Sequence, residues 1–165
     1  MRIVEIVLIG QEEQIIDSLL PPIPLSSVAV GGQNLLRGQL SEQTTLMLYP
    51  ILFQETPSDA LIKKIIPHTS AIIISSTIEQ GEKWLQHHEF WQHYLTDEPV
   101  QPVIWVVPLP EGAKRVSSSM LGLNGGMLLG EKSRMFFVQG NAAAVQRRIW
   151  RTLFMELLPV TLSEE

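Results

Sequence analysis

Three short runs of apolar residues constrain the fold of this chain more than any other feature. They occupy residues 3–9, 71–74 and 103–107, are rich in Ile and Val, and are bounded by turn-forming residues. Such runs predict strands covered on both faces, as in a parallel sheet. One more strand is predicted at residues 135–138. Segments with helical periodicity lie between the runs, and strand alternating with helix predicts an α/β fold.

Two of the predicted helices are well marked. Residues 12–20 place four aliphatic side chains on one side of a helix that Pro21 and Pro22 end. Residues 142–157 repeat apolar positions at helical spacing, after Asn141 as a predicted N-cap. The opposite face of this last helix carries Arg147, Arg148 and Arg151. Further helices are predicted near residues 58–66 and 81–95. Residues 113–130 are compatible with a short helix, which we favour, or with a hairpin that turns at Asn124 and Gly125.

Residues 26–50 break the alternation, because they contain two strand-like runs with no helix between them. The tight connection at residues 41–43 predicts an antiparallel hairpin and therefore a mixed sheet. Gly31 and Gly32 predict a turn or a strand bulge rather than a phosphate loop, since no helix with a basic residue follows them.

Composition narrows the class of protein. The chain has 165 residues, of which 45% are apolar and 18% charged, the balance of one globular domain. A net charge of −5 argues against nucleic acid as a partner. No cysteine is present, and no window approaches the roughly 20 apolar residues that span a bilayer. We therefore expect a cytoplasmic protein that binds neither nucleic acid nor membrane.

Residues 45–55, TLMLYPILFQE, join an apolar strand to Gln54 and Glu55. This segment is similar to the third strand and switch of bacterial Ras-like small GTPases, where the strand runs into D-x-x-G-Q-E. The order of predicted elements also resembles the Ras-like domain. The resemblance implies one domain over residues 1–165, a three-layer α/β sandwich with a mixed, mostly parallel sheet. It implies six strands, of which the second is antiparallel.

The residues that would bind a nucleotide in such a domain are replaced. In the phosphate loop G-x-x-x-x-G-K-[ST], counted from Gly10, the last three positions are Ile15, Ile16 and Asp17. Branched side chains would crowd the turn that wraps the phosphates, and a carboxylate would repel them. Glu12 and Glu13 add to this repulsion.

The other nucleotide motifs are replaced as well. The Asp and Gly of D-x-x-G correspond to Pro50 and Phe53, and residues 108–111 stand where the guanine-binding N-K-x-D would lie. Each phosphate or metal contact is worth roughly 1.5 to 3 kcal/mol, so losing several predicts that GTP is neither bound nor hydrolysed. We expect no cofactor.

Neither a metal site nor a catalytic group emerges elsewhere. His88 and His93 are five residues apart, so on a helix they diverge by about 140° and miss the spacing of a zinc site. The serines at 117–119 lack an accompanying base and a nucleophile-elbow motif. We therefore expect that this protein is not an enzyme.

The resemblance implies instead a non-catalytic protein-binding module whose partner is an active GTPase or its regulator. The predicted partner-binding residues come from the switch-like segment and from a Met-rich segment. They are Phe53, Gln54, Glu55, Asp59, Met120, Met127 and Leu128.

Two alternatives remain open at the level of sequence. The first is a receiver-like signalling domain without its phosphoacceptor. The second is a small enzyme whose polar groups converge at the strand ends. The residues available for that convergence, or for binding a cation, are Glu12, Glu13, Asp17, Gln54 and Glu55.

Overall fold

The computed structural model describes residues 1–52, 64–77, 101–109, 132–139 and 142–158. The strands are β1 (Arg2–Gly10), β2 (Leu25–Val30), β3 (Gln33–Ser41), β4 (Thr44–Leu52), β5 (Ala71–Ser75), β6 (Val103–Pro108) and β7 (Ser133–Val138). The helices are α1 (Glu13–Leu19) and α2 (Ala142–Thr152), which continues into a π-helical turn (Leu153–Leu157). A short 3₁₀ helix (Ile66–His68) precedes β5.

The strands form one mixed sheet in the order β2-β3-β4-β1-β5-β6-β7. Parallel pairs join β1 to β4, β1 to β5, β5 to β6 and β6 to β7. Antiparallel pairs join β2 to β3 and β3 to β4. Of the strands described, β3 therefore runs against the other six, and the predicted α/β fold with a mostly parallel mixed sheet is confirmed.

The apolar runs form the centre of the sheet because both faces there are buried. In β1, Val4, Ile6 and Leu8 belong to the core on one face, and Val7 and Ile9 to the core on the other. β5 is buried along its whole length, and β6 is buried except for Pro108. The three predicted strands and the fourth near residues 135–138 are confirmed.

Helices α1 and α2 cover one face of the sheet. Ile16 and Leu19 of α1 are buried in the same core as Ile149 of α2. The indole Nε1 of Trp150 donates a hydrogen bond to the carbonyl of Leu19 at 2.8 Å, which links the two helices. α1 ends before Pro21 and Pro22, as predicted. The arginines of α2 are exposed, in agreement with their predicted polar face: Arg147, Arg148 and Arg151.

The number of strands and the position of the antiparallel strand correct the sequence prediction. The described residues form seven strands instead of six, and of these the strand that opposes the others is the third, not the second. The additional strand is β2, which a two-residue turn at Gly31 and Gly32 joins to β3. Both glycines have positive φ, +59° and +82°, the geometry of a tight hairpin turn. The predicted turn after Ser41 is confirmed.

The strand order also bears on the receiver-like alternative. Receiver domains have the order 2-1-3-4-5, with the second strand beside the first. Here β4 and β5 flank β1, and β2 lies at the edge. The hairpin strands β2 and β3 have no counterpart in that order, and the receiver-like alternative stays a hypothesis.

Several predicted elements lie outside the described residues. They are the helices within 81–95 and 113–130, most of the helix near 58–66, and Asn141. The third layer of the predicted sandwich depends on these segments. Within the described part of the chain, no helix is long and apolar enough to cross a membrane.

The turn between β2 and β3 provides a test of the added strand. A Cβ at Gly31 would meet no atom within 4 Å, so Gly31→Ala is limited to the strain of a positive φ. We expect Gly31→Ala to lower the free energy of unfolding by about 1 kcal/mol. Gly31→Asn should be neutral or stabilising, because Asn-Gly suits this turn. Equal urea midpoints for the two variants would contradict the hairpin.

Candidate functional site

An open cleft of about 420 Å³ lies at the carboxyl end of β4. Side chains from α1, from the beginning of β3 and from the end of β4 line it, together with Ile65. In open α/β sheets, ligands bind beyond the carboxyl ends of the strands. The cleft is therefore the candidate site in the described part of the chain.

Pro50 marks the point at which the sheet opens to form this cleft. The β3–β4 pairing begins at Leu36 and Leu48, so Gln33 and Asn34 pair with β2 but not with β4. Beyond Leu48, β4 pairs only with β1 among the described strands. A proline has no N–H to donate to a second neighbour, and it is tolerated in strands where one side is unpaired. The sequence at Pro50 is thus compatible with the separation of β3 from β4.

The floor of the cleft is apolar and its rim is acidic. Ile16, Leu35 and Ile51 are buried lining residues. Glu13 and Asp17 of α1 line the cleft and are exposed, as are two amide side chains of β3, Gln33 and Asn34. A positively charged group with an apolar neighbour suits such a surface, whereas a phosphate would meet two carboxylates.

The connection from β1 to α1 is short and closely packed. β1 ends at Gly10 and α1 begins at Glu13, so only two residues join them. A Cβ placed on Gly10 would lie 3.0 Å from Cγ1 of Ile16 and 3.2 Å from Cγ2 of Ile15. The two isoleucines thus pack directly on the backbone of Gly10, and glycine permits that approach.

Two amide groups at the beginning of α1 are used within the helix. The N–H groups of Ile15 and Ile16 both donate to the carbonyl oxygen of Glu12, at 3.1 Å and 3.2 Å. Glu12 and Glu13, at the beginning of α1, are exposed carboxylates. Among the described residues, no group of three or more side chains is arranged to hold a metal ion.

Tyr49 on the cleft wall is bonded to a carboxylate of β1. Its hydroxyl donates a hydrogen bond to Oε1 of Glu5 at 2.6 Å. The amide of Glu5 in turn donates to Oγ of Ser70 at 3.3 Å, and the amide of Ser70 to the carbonyl of Glu5 at 2.6 Å. Burial, and then the hydrogen bond and charge of Glu5, raise the pKa of Tyr49 to about 12. Tyr49 is therefore a neutral donor at physiological pH.

The predicted partner-binding residues are not among those that the structure describes. This applies to all seven: Phe53, Gln54, Glu55, Asp59, Met120, Met127 and Leu128. Gln54 and Glu55 are also candidates for the convergent polar cluster, so this part of the cluster lies outside the described residues. Of that cluster, Glu13 and Asp17 share the cleft.

Sequence reasoning missed the β3 side of the cleft. Gln33 and Asn34 belong to no recognisable motif, and Pro50 is a sequence signal compatible with the separation of the strands. No protein-family model and no curated protein matches this chain.

The Tyr49–Glu5 bond predicts a pH dependence of stability. The unfolded tyrosine loses its proton near pH 10, whereas the folded state holds it until about pH 12. The contribution of the Tyr49–Glu5 contact to the free energy of unfolding is therefore complete below pH 10 and is lost as the pH rises to 12. We expect one tyrosine to titrate near pH 12 by ultraviolet absorbance.

Two variants test whether Tyr49 is the tyrosine that titrates near pH 12. The chain has two tyrosines, so Tyr49→Phe should abolish the late transition and leave that of Tyr94. Glu5→Gln should shift the transition only partly toward pH 10, because burial is the larger cause. A wild-type protein whose two tyrosines titrate together near pH 10 would contradict the contact.

Proposed function

We propose that this chain is a Ras-like domain that has lost nucleotide chemistry and acts in the cytoplasm as a protein-binding module. The sheet order supports the relationship. The hairpin β3–β4 follows α1, β4 lies parallel beside β1, and β5, β6 and β7 follow in sequence order. Relative to the implied six strands, β2 is an addition at the edge.

The packing at Gly10 is the observation that carries the loss of nucleotide binding. The space over the end of β1 contains the aliphatic side chains of Ile15 and Ile16. The neighbouring helical turns expose Glu12, Glu13 and Asp17. A triphosphate would have to displace buried methyl groups and then approach like charges, and both steps are unfavourable.

The cleft beside this turn supports a binding role. Gly10 pairs with Leu52 in the β1–β4 register, so the turn after β1 lies beside the cleft. The described lining offers carboxylates, amides and a neutral phenol, with no histidine, cysteine or lysine. An apolar floor with a carboxylate rim favours a protein segment that presents apolar and basic side chains together. An active GTPase or its regulator remains the proposed partner.

Calorimetry tests the first half of the proposal. Titration of GTP or GDP with Mg²⁺ into the protein should give no binding at micromolar nucleotide, because the phosphate cradle is filled. An intact small GTPase, titrated in the same buffer, is the positive control. Micromolar affinity for either nucleotide would contradict the proposal.

Site-specific cross-linking tests the second half. A photo-cross-linking residue at Asn34, on the rim of the cleft, should capture a defined partner protein in the cells that produce this chain. Glu13→Arg with Asp17→Arg should reduce the captured amount at least tenfold, since like charges at an interface cost several kcal/mol. Phe53→Asp tests the predicted switch segment in the same assay.

The matched control is Glu42→Arg, an exposed reversal in the β3–β4 turn, away from the lining of the cleft. It should leave capture unchanged. If the cleft variants cross-link as well as the wild type, or if Glu42→Arg has the same effect, the cleft is not the binding site.

A further inference from the structure

The strand β2 leaves one edge of the sheet unpaired in the described structure. β3 is its neighbour on one side, and no described strand lies on the other. Ser26, Ser27, Ala29 and Val30 are exposed, the last of them by 51%. The outer edge of such a strand presents backbone donors and acceptors that can pair with another extended segment.

Nothing in β2 opposes such pairing. Edge strands that avoid association carry charges, prolines or bulges. β2 has the sequence LSSVAV, and its register with β3 is continuous from Leu25 to Val30. The bulge in this region lies instead between β3 and β4, near Gln39 and Ser41.

The charge distribution favours a second copy as the occupant. The chain carries a net charge of −5, but Arg37 is the one charged residue between positions 18 and 41. Two copies can therefore approach through β2 without bringing carboxylates together, whereas α1 and the residue before it expose three carboxylates, Glu12, Glu13 and Asp17. A twofold axis makes the contact self-complementary and closed.

We propose that the protein forms a homodimer by antiparallel pairing of β2 with β2 of a second copy. The two sheets then join into one continuous sheet. For both copies to present the same face, the twofold axis must pass through a residue and not between two residues. An axis at Ser27 would place Pro24, which has no N–H, opposite Val30. An axis at Val28 pairs only uncharged residues and leaves Pro24 outside the ladder.

Oligomeric state measured by light scattering after size exclusion, over a range of concentrations, tests the proposal. The wild type should be a dimer, and Val30→Lys should weaken dimerisation at least tenfold, because a lysine on an edge opposes strand pairing. Val30 is exposed, so the variant should retain its fold by circular dichroism. Ala144→Lys, an equal charge change on the exposed face of α2, should remain dimeric.

The register is tested by cross-linking, since the chain has no cysteine. Facing residues of antiparallel strands have Cα atoms about 4.5 to 5.5 Å apart, which suits a disulfide. Val28→Cys should form a covalent dimer on mild oxidation, whereas Ala144→Cys should not. A wild type that is monomeric at every concentration, a Val30→Lys dimer of unchanged affinity, or no Val28→Cys cross-link overturns the proposal.

Discussion

The contact of Ile15 and Ile16 with the backbone of Gly10 determines the carboxyl end of the sheet. It allows only two residues between β1 and α1, and it brings the helix down onto the strand. The amides of both isoleucines are then used by the carbonyl of Glu12. A loop that wraps a phosphate requires the opposite arrangement, with free amides around an open space. The proposed loss of nucleotide chemistry follows from this packing.

The cleft lies beside the turn between β1 and α1. It opens where β3 separates from β4, beside Pro50, and one wall belongs to a hairpin strand rather than to a phosphate loop. Its apolar floor and the carboxylates of Glu13 and Asp17 are suited to side chains of another protein. The sheet ends at β2, an edge strand that has no charged residue. The two proposals, partner binding and self-association, thus involve different surfaces.

The strands that are buried on both faces were the part of the structure that the sequence predicted best. β1, β5 and β6 are buried on both faces, so their apolar runs were unambiguous, and the proline and turn residues located the end of α1 and the turn after Ser41. β2 was not separated from β3, because Gly31 and Gly32 are compatible with a bulge within one strand as well as with a turn between two. The cleft was missed because Asp17 and Asn34 are distant in sequence. Both line the cleft only because β3 separates from β4 there. The role of Phe53 and the other proposed partner residues stays a prediction.

The most direct test of the filled cradle is a crystal structure of the protein grown with excess GTP and Mg²⁺. We expect that Ile15 and Ile16 still pack on Gly10 and that no nucleotide lies over the end of β1. An opened turn, with the amides of residues 15 and 16 bonded to phosphate oxygens, would contradict it.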